Sequence, residues 1–199
     1  QGCAEAILPI TPGCPRCGLP GAPEICEPCL APPPAHAPAR SLGIFEGPLR
    51  EASHTFKFND APQVGRWLGA FIAPAIPALL PPPKSTLVVP VPLPAHRLKA
   101  RGYNQARVLG EPIAASLGLP IIDALTREST EGSQAKVGRK RRLARLKGAF
   151  TLVAQVRGQR ILLIDDVMTT GATANACAQA LKEGGAAGVD ILTAARTPA

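Results

Sequence analysis

The stretch ILLIDDVMTTGAT, residues 161–173, constrains the fold more than any other part of the chain. Its first four residues are apolar β-formers and predict a strand buried on both faces, as in a parallel sheet. Asp165 and Asp166 follow at once, which indicates that this end of the strand is wet and occupied. The next segment predicts a helix that is capped by Thr173 and stopped at Gly184. We therefore expect the acids and threonines on a strand-to-helix loop, where open α/β sheets bind their ligands.

Strand and helix patterns alternate from residue 41 onward. SLGIF, STLVVPVP and GVDILTAA predict strands, and predicted helices start near Pro48, Pro62 and Tyr103. This alternation favours a parallel α/β sheet flanked by helices. Residues 1–40 differ, because they are rich in Cys, Pro and Gly and end in the stiff linker APPPAHAPAR. We therefore expect a small Cys-rich module at 1–40 and an α/β domain at 41–199.

Two CxxC pairs lie in the first module, Cys14 with Cys17 and Cys26 with Cys29. Four thiolates at this spacing are the usual ligands of a tetrahedral Zn²⁺, at about 2.3 Å from the metal. Two disulfides are the alternative, but paired CxxC motifs without a visible secretory signal favour a metal in a reducing compartment. A redox role is disfavoured because neither pair follows a strand of a βαβ unit. The expected location is cytoplasmic, with structural zinc.

The positive charge of the chain is confined to one segment. Residues 132–164 contain nine basic residues and no acidic one, whereas the rest of the chain has a net charge of −1. Such density indicates contact with phosphate groups, of a small ligand or of a nucleic acid. Because the chain has one Trp and one Tyr, we expect charge-driven, sequence-independent contact with single-stranded DNA. The densest part contributes Lys136, Arg139, Lys140, Arg141, Arg142, Arg145 and Lys147.

Prolines interrupt the longest apolar run, FIAPAIPALLPPP, so we expect no membrane span.

The loop after the acids offers groups for both ends of a ribose phosphate. A run of backbone N–H groups and three hydroxyls at a helix N-terminus suits a 5′-phosphate. Ionised Asp165 and Asp166 only accept hydrogen bonds, which suits the 2′- and 3′-hydroxyls. An acid pair that binds only Mg²⁺ is the alternative, and the TTGAT tail argues against it. The phosphate-binding residues are predicted to be Thr169, Thr170, Gly171, Ala172 and Thr173.

Residues 161–173 resemble the signature by which type I phosphoribosyltransferases bind phosphoribosyl pyrophosphate (PRPP): an apolar strand, two acids and T-T-G-x-T. Three further blocks resemble the ComF family, which is associated with competence and bacterial DNA uptake. They are EGPLREASHTFKF, VVPVPLPAHRLKARGYNQARVLG and LTRESTEGSQAKVGRKRRLARLKGAF. The zinc ribbon belongs to the same pattern, so the resemblance runs from about Cys3 to Arg196. The chain departs from it at Tyr103, where Phe is usual, at Arg145, where Asn is usual, and in lacking the upstream half of a double ribbon.

The resemblance implies a type I phosphoribosyltransferase-like parallel sheet flanked by helices, with a small N-terminal zinc ribbon. It implies catalytic roles for Asp165 and Asp166, and Mg²⁺ that binds together with PRPP. The loop after VVPVPL would bind pyrophosphate, and the basic segment would be a flexible active-site loop in which Lys136 and 139–142 reach the leaving group. The candidates for pyrophosphate binding are Arg97, Lys99 and Arg101.

Two functions are compatible with these features. The first is an accessory protein of natural transformation that binds single-stranded DNA and other competence proteins, with PRPP or a related ribose phosphate as its small ligand. The second is an active phosphoribosyltransferase, a pentosyl-transferring enzyme, with an unidentified acceptor. Whether PRPP is consumed or only bound discriminates between them, because no motif in the sequence specifies an acceptor.

Overall fold

The computed structural model describes residues 6–36, 38–58, 61–80, 85–128 and 148–198. Within them, four parallel strands form a sheet in the order β1-β6-β5-β2, which confirms the predicted parallel α/β sheet flanked by helices. The strands are β1 (Ala39–Ile44), β2 (Leu87–Pro90), β5 (Arg160–Met168) and β6 (Gly188–Arg196). Two short strands, β3 (Leu125–Arg127) and β4 (Phe150–Leu152), form a separate antiparallel pair.

Helices cover both faces of the parallel sheet. Alternate residues of β5 point to opposite faces, so Ile161 and Leu163 belong to one buried cluster while Leu162 and Ile164 belong to the other. Each such side chain contributes about 1.5–3 kcal/mol by its burial. The described helices are α1 (Glu27–Leu30), α2 (Gly47–Phe58), α3 (Pro62–Ile72), α4 (Ile76–Leu79), α5 (Ala95–Arg101), α6 (Gln105–Leu117) and α7 (Ala172–Glu183).

Strand β5 is longer than the sequence predicts. The sequence predicts a strand, RILLIDD, that finishes with the two acids, but β5 continues to Met168 because β6 continues beside it, pairing Asp165 with Thr193 and Met168 with Arg196. Its other neighbour, β2, stops at the residue that pairs with Ile164. The two acids therefore lie within the strand, on the part that projects past β2 at the carboxyl edge of the sheet.

The Cys-rich module packs against the sheet. Cys14, Cys17 and Cys29 belong to the same buried cluster as Ala39, the first residue of β1. The amide of Ala39 donates a hydrogen bond to the carbonyl oxygen of Arg16 at 2.8 Å. Strand β1 thus begins inside the segment that the sequence assigned to the linker, directly against the module.

In the described part of the chain, none of the helices is both long and apolar enough to span a membrane.

Candidate ligand site and four-cysteine centre

The two acids of β5 are held by hydrogen bonds of their own strand. The carboxylate of Asp165 accepts from the backbone N–H of Asp166 at 2.9 Å, and that of Asp166 accepts from the N–H of Val167 at 2.8 Å. Asp166 is buried, with 8% of its surface exposed. Each carboxylate therefore has one oxygen fixed by the backbone, which leaves its second oxygen for another partner.

Asp165 differs from the acceptor-only group that the sequence predicted. Burial and, to a smaller extent, the adjacent charge of Asp166 raise the pKa of Asp165 to about 8, although the Asp166 amide and Lys57 act in the opposite direction. At neutral pH the ligand-free protein therefore carries a proton on Asp165, so that this side chain can donate as well as accept. The pair holds one negative charge below pH 8 rather than two.

The partner of Asp166 is Lys57, which the sequence did not single out. Its ammonium nitrogen lies 2.7 Å from Oδ2 of Asp166, and the side chains are 28% and 11% exposed. Lys57 is in the last turn of α2, more than one hundred residues away along the chain. A single lysine in a helix carries no sequence signal for such a role, because only the packing of α2 near β5 brings the two together.

The loop after β5 turns through Gly171 into α7. Gly171 has φ +77°, a conformation that L side chains rarely adopt, and a Cβ there would lie 2.6 Å from Cε of Met168. The helix begins at Ala172, with Gly171 as its N-cap residue, so the prediction that Thr173 caps it is wrong. Thr173 lies in the first turn instead.

The five loop residues are brought together at the N-terminus of α7. The hydroxyl of Thr170 accepts from the N–H of Ala172 at 3.4 Å, and Thr169 and Thr170 are exposed. The first turn of a helix leaves backbone N–H groups without intrahelical partners, and the helix dipole favours an anion there. This end of α7 can therefore bind a phosphate group beside the acids.

The three cations predicted to bind pyrophosphate lie on helix α5 and not on the loop that was predicted after VVPVPL. Arg97 and Arg101 are four residues apart and share a face, whereas Lys99 is rotated by about 200° from Arg97. Arg97 and Lys99 are exposed and Arg101 is half-buried. The helical geometry therefore brings Arg97 and Arg101 together and separates Lys99 from them.

Arg127, at the end of β3, is a further cation that the sequence analysis missed. It pairs with Pro94, immediately before α5, and its guanidinium lies 5.3 Å from the centre of the Phe150 ring. Burial lowers its pKa, and the charges of Arg97 and Asp165 both act on it. Arg127 is therefore next to the start of α5 and within electrostatic range of Asp165. Arg127 lies in one of the blocks that resemble the family, at the end of a short strand. A strand pattern alone does not distinguish this arginine from any other residue at a strand end.

The densest part of the basic segment lies outside the described residues. Its members are Lys136, 139–142, Arg145 and Lys147.

The four predicted cysteines converge on one point. One sulfur atom from each of Cys14, Cys17, Cys26 and Cys29 lies within 4.8 Å of the other three, and all four are free thiols. A tetrahedral metal with bonds of about 2.3 Å needs sulfur atoms about 3.8 Å apart, so the cluster fits a four-coordinate ion. The structure therefore supports metal binding over two disulfides.

Backbone amides prepare the first of these thiols for a metal. Burial of Cys14 opposes its ionisation, but backbone hydrogen bonds from Cys17, Cys26 and Arg16 outweigh it and lower the pKa of Cys14 to about 6. Gly18, with φ +67°, permits the tight turn after Cys17 and accommodates the carbonyl oxygen of Ala39, which would lie 2.9 Å from a Cβ. The site is therefore built into the contact between the ribbon and β1.

Comparisons with known proteins find one matching family model, several relatives and several solved structures. A family model described as "Phosphoribosyl transferase domain" matches residues 104–199. The chain is 33% identical over 203 residues to the DNA utilization protein YhgH of Salmonella typhi, covering 98% of this chain and 88% of that protein. It is 28% identical over 205 residues to Competence protein F of Haemophilus influenzae, covering 98% and 89%. Among solved structures, glutamine PRPP amidotransferase from B. subtilis is similar over 65% of this chain and 25% of that one, with 18% identity and a TM-score of 0.45.

Fold and site together define a type I phosphoribosyltransferase-like protein with a small N-terminal four-cysteine ribbon. Its similarity to YhgH and to Competence protein F extends over nearly the whole chain. The chain belongs to the ComF family.

Proposed function

We propose that this protein binds PRPP or a related ribose phosphate at the carboxyl edge of its sheet, and single-stranded DNA through its basic segment, as an accessory protein of natural transformation. The observation that carries the first half is the placement of Asp165 and Asp166 immediately before the loop into the N-terminus of α7. Acid groups for a diol and amides for a phosphate then lie at two ends of one short segment. A ribose 5-phosphate has the same two groups at opposite ends of one sugar.

Each ligand group has a partner among the described residues. Asp166 accepts from one ribose hydroxyl, and Asp165, with a pKa of about 8, accepts from the other and can also donate. The N–H groups of 171–173 bind the 5′-phosphate. Arg97 and Arg101 on α5, and Arg127 beside Pro94, are the cations that we propose to offset the charge of the pyrophosphate.

Magnesium fits this site as a companion of the ligand. Carboxylate oxygens are the donors that Mg²⁺ prefers, and Asp165 is the better candidate of the two acids because Asp166 is already paired with Lys57. When bound with PRPP, Mg²⁺ would neutralise part of the pyrophosphate charge. The protein's own contribution is to orient the diol and the 5′-phosphate and to present cations to the pyrophosphate.

For the ribbon, we propose that the metal held by Cys14, Cys17, Cys26 and Cys29 is zinc. The four soft sulfur ligands and their mutual spacing support zinc over a hard cation. Zinc here would be structural, because all four coordination positions are filled by the protein.

The DNA half of the proposal rests on charge and on relatives. Seven basic residues within 136–147 exceed what one pyrophosphate needs, and the similar proteins carry the names DNA utilization protein and Competence protein F. If about four side chains contact phosphates, the logarithm of the association constant should fall against the logarithm of salt concentration with a slope of about −3. Replacement of Arg139, Lys140, Arg141 and Arg142 by Ala should flatten that slope for all sequences alike.

A lid that serves only PRPP gives a different result for the same quadruple variant. It would lose PRPP affinity, while its single-strand binding would keep its salt dependence. That outcome would remove the DNA role of this segment.

A second candidate, an active phosphoribosyltransferase, is favoured by Arg127, which interacts electrostatically with both Asp165 and Arg97, because a leaving pyrophosphate needs cations near the acids. In such a reaction the bond between C1 and the pyrophosphate oxygen breaks, an acceptor atom bonds to C1, and the acceptor loses a proton. Incubation with PRPP, Mg²⁺ and a panel of bases, nucleosides and nucleotides, with pyrophosphate release as the readout, tests it. Release above the level of an Asp165→Asn, Asp166→Asn double variant supports the enzyme, and PRPP binding without release supports the accessory protein.

A further inference from the structure

Lys57 and Asp166 form the tightest ion pair among the described residues of the candidate site. The ammonium nitrogen is 2.7 Å from Oδ2 of Asp166, and both groups are largely removed from solvent. The other carboxylate oxygen, Oδ1, already accepts from the N–H of Val167 at 2.8 Å. Each oxygen of Asp166 therefore has a positively polarised partner in the ligand-free protein.

This arrangement leaves little room for a bare divalent ion on Asp166. A Mg²⁺ bound directly by the carboxylate needs an oxygen lone pair at about 2.1 Å, and an ammonium group at hydrogen-bond distance repels a second cation at the same atom. A ribose hydroxyl is different, because it donates a hydrogen bond to a lone pair and carries no charge. Oδ2 of Asp166 has an ionic partner in Lys57 but no hydrogen-bond partner in the structure, so it can accept from a hydroxyl while the ion pair is kept.

Helix α2 fixes Lys57 in this position. The carbonyl oxygen of the preceding residue, Phe56, accepts a hydrogen bond from the hydroxyl of Tyr103 at 2.6 Å, and the two rings stack with centroids 5.7 Å apart. Tyr103 lies directly after Gly102, the C-cap residue of α5. The end of α2 is thus tied to the connection that follows the Arg97 and Arg101 helix, so Lys57 is not a freely moving surface lysine.

We propose that Lys57 is a positioning residue that supplies the counter-cation of the acid pair, so that the ribose 5-phosphate part of the ligand binds without a divalent ion and Mg²⁺ is needed only for the pyrophosphate part. This inference rests on the proposed function, since it concerns the same ligand site. Mg²⁺ is then required by the pyrophosphate half of the ligand, and Lys57 serves the ribose 5-phosphate half.

The test is calorimetric titration of the full chain with ribose 5-phosphate, once with Mg²⁺ and once with EDTA. The four-cysteine centre is loaded with zinc beforehand. The EDTA concentration and the exposure time are kept low enough that the zinc stays bound, and the metal content is measured after the titration. The wild-type protein should bind with dissociation constants that agree within about twofold. A wild-type protein that binds ribose 5-phosphate only with Mg²⁺ overturns the inference without any variant.

Variants separate the charge of Lys57 from the size and polarity of its side chain. Lys57→Gln keeps an N–H donor but removes the charge, and should weaken binding in EDTA by about tenfold or more, with most of the loss recovered on adding Mg²⁺. Lys57→Arg restores the charge and should bind in EDTA nearly as the wild type does. Lys182→Gln removes an exposed lysine of α7 and should leave both titrations unchanged.

Two outcomes for these variants contradict the inference. Lys57→Gln that binds in EDTA as the wild type does shows that the charge is not used. If Lys57→Gln loses the same affinity with and without Mg²⁺, and Lys57→Arg does not recover that affinity, then Lys57 has a merely structural role. If the wild type binds PRPP with Mg²⁺ but no ribose 5-phosphate, this inference fails and the proposed function stands. If it binds neither, the proposed function itself fails.

Discussion

The hydroxyl of Tyr103 donates a hydrogen bond to the carbonyl oxygen of Phe56 at 2.6 Å, joining the connection between α5 and α6 to the last turn of α2. Both ends of this bond bear on the candidate site, because α2 carries Lys57 and α5 carries Arg97. Tyr103 stands where Phe is usual in the resembling block, so the hydroxyl is a feature of this chain. It couples two segments that approach the ligand from different parts of the sequence.

Tyr103→Phe removes this bond and keeps the ring stacked on Phe56. We expect the free energy of unfolding to fall by about 0.5–1.5 kcal/mol, as measured by urea denaturation. The affinity for ribose 5-phosphate should also fall, because the end of α2 is held less firmly. Unchanged stability together with unchanged affinity would show that the hydroxyl holds neither segment.

Metal removal should destabilise more than the ribbon. Cys14, Cys17 and Cys29 share a buried cluster with residues of the sheet, so the ribbon is not an independent appendage. We expect about one zinc per chain by elemental analysis and, for Cys14→Ser, loss of that zinc and a lower melting temperature of the whole protein, since structural zinc contributes folding free energy.

The matched control is Cys177→Ala, which alters a buried cysteine of α7 outside the four-cysteine cluster. It should retain zinc although it loses some packing energy. Retention of full zinc content in Cys14→Ser, or an unchanged melting temperature after zinc loss, would contradict the account of the ribbon.

Asp165 should make the ligand-free protein less stable as pH rises. Its pKa is raised to about 8 in the folded state, against about 3.9 in an unfolded chain. Between these values the folded protein binds a proton that the unfolded chain has released, so stability falls with rising pH by up to about 1.4 kcal/mol per pH unit. Below pH 4 the effect vanishes, and above pH 8 the full penalty is present.

The comparison that isolates this group is urea unfolding of the wild type and of Asp165→Asn from pH 4 to pH 9. Other titrating groups contribute alike to both proteins, so the difference between the two curves reports Asp165. The variant should gain stability relative to the wild type as pH rises. Parallel curves would show that Asp165 titrates in its ordinary range.

Gly171→Ala should impair the phosphate loop in a way that a matched glycine does not. Both Gly171 and Gly158 have positive φ, +77° and +75°, but only a Cβ at Gly171 meets another atom, Cε of Met168 at 2.6 Å. Strain from positive φ should cost either variant about 1–2 kcal/mol of unfolding free energy. Only Gly171→Ala should also weaken PRPP binding in a titration, and equal affinity in the two variants would place the phosphate elsewhere.

The features that sequence predicted were local ones. The spacing of Cys14, Cys17, Cys26 and Cys29 fixes how a ribbon can fold, and the apolar run before Asp165 fixes a buried strand. The length of β5 was not predictable in this way, because Asp165 stays in the strand only through its pairing with β6. The helix start was misjudged because Gly171 caps α7 through its backbone conformation, which competes with the side-chain caps that threonine favours.

The charges around the acids were the least predictable part of the site. Lys57 reaches Asp166 only through the packing of α2, and Arg127 approaches Asp165 only because β3 lies beside Pro94. Neither contact follows from a periodic pattern or from a fixed residue spacing in the sequence. If the sequence after VVPVPL had been predicted as a helix, its geometry would have shown that Arg97 and Arg101 share a face and that Lys99 does not.

The central claim is that the acids of β5 and the start of α7 bind PRPP. Calorimetric titration of the wild type and of the Asp165→Asn, Asp166→Asn double variant with PRPP and Mg²⁺ tests it most directly, with circular dichroism to verify that both proteins are folded. We expect one site per chain in the wild type and affinity at least about tenfold weaker in the double variant, because loss of the charged acceptor Asp166 costs about 1.5–3 kcal/mol. Equal affinity in the two proteins, or no binding by the wild type, would contradict it.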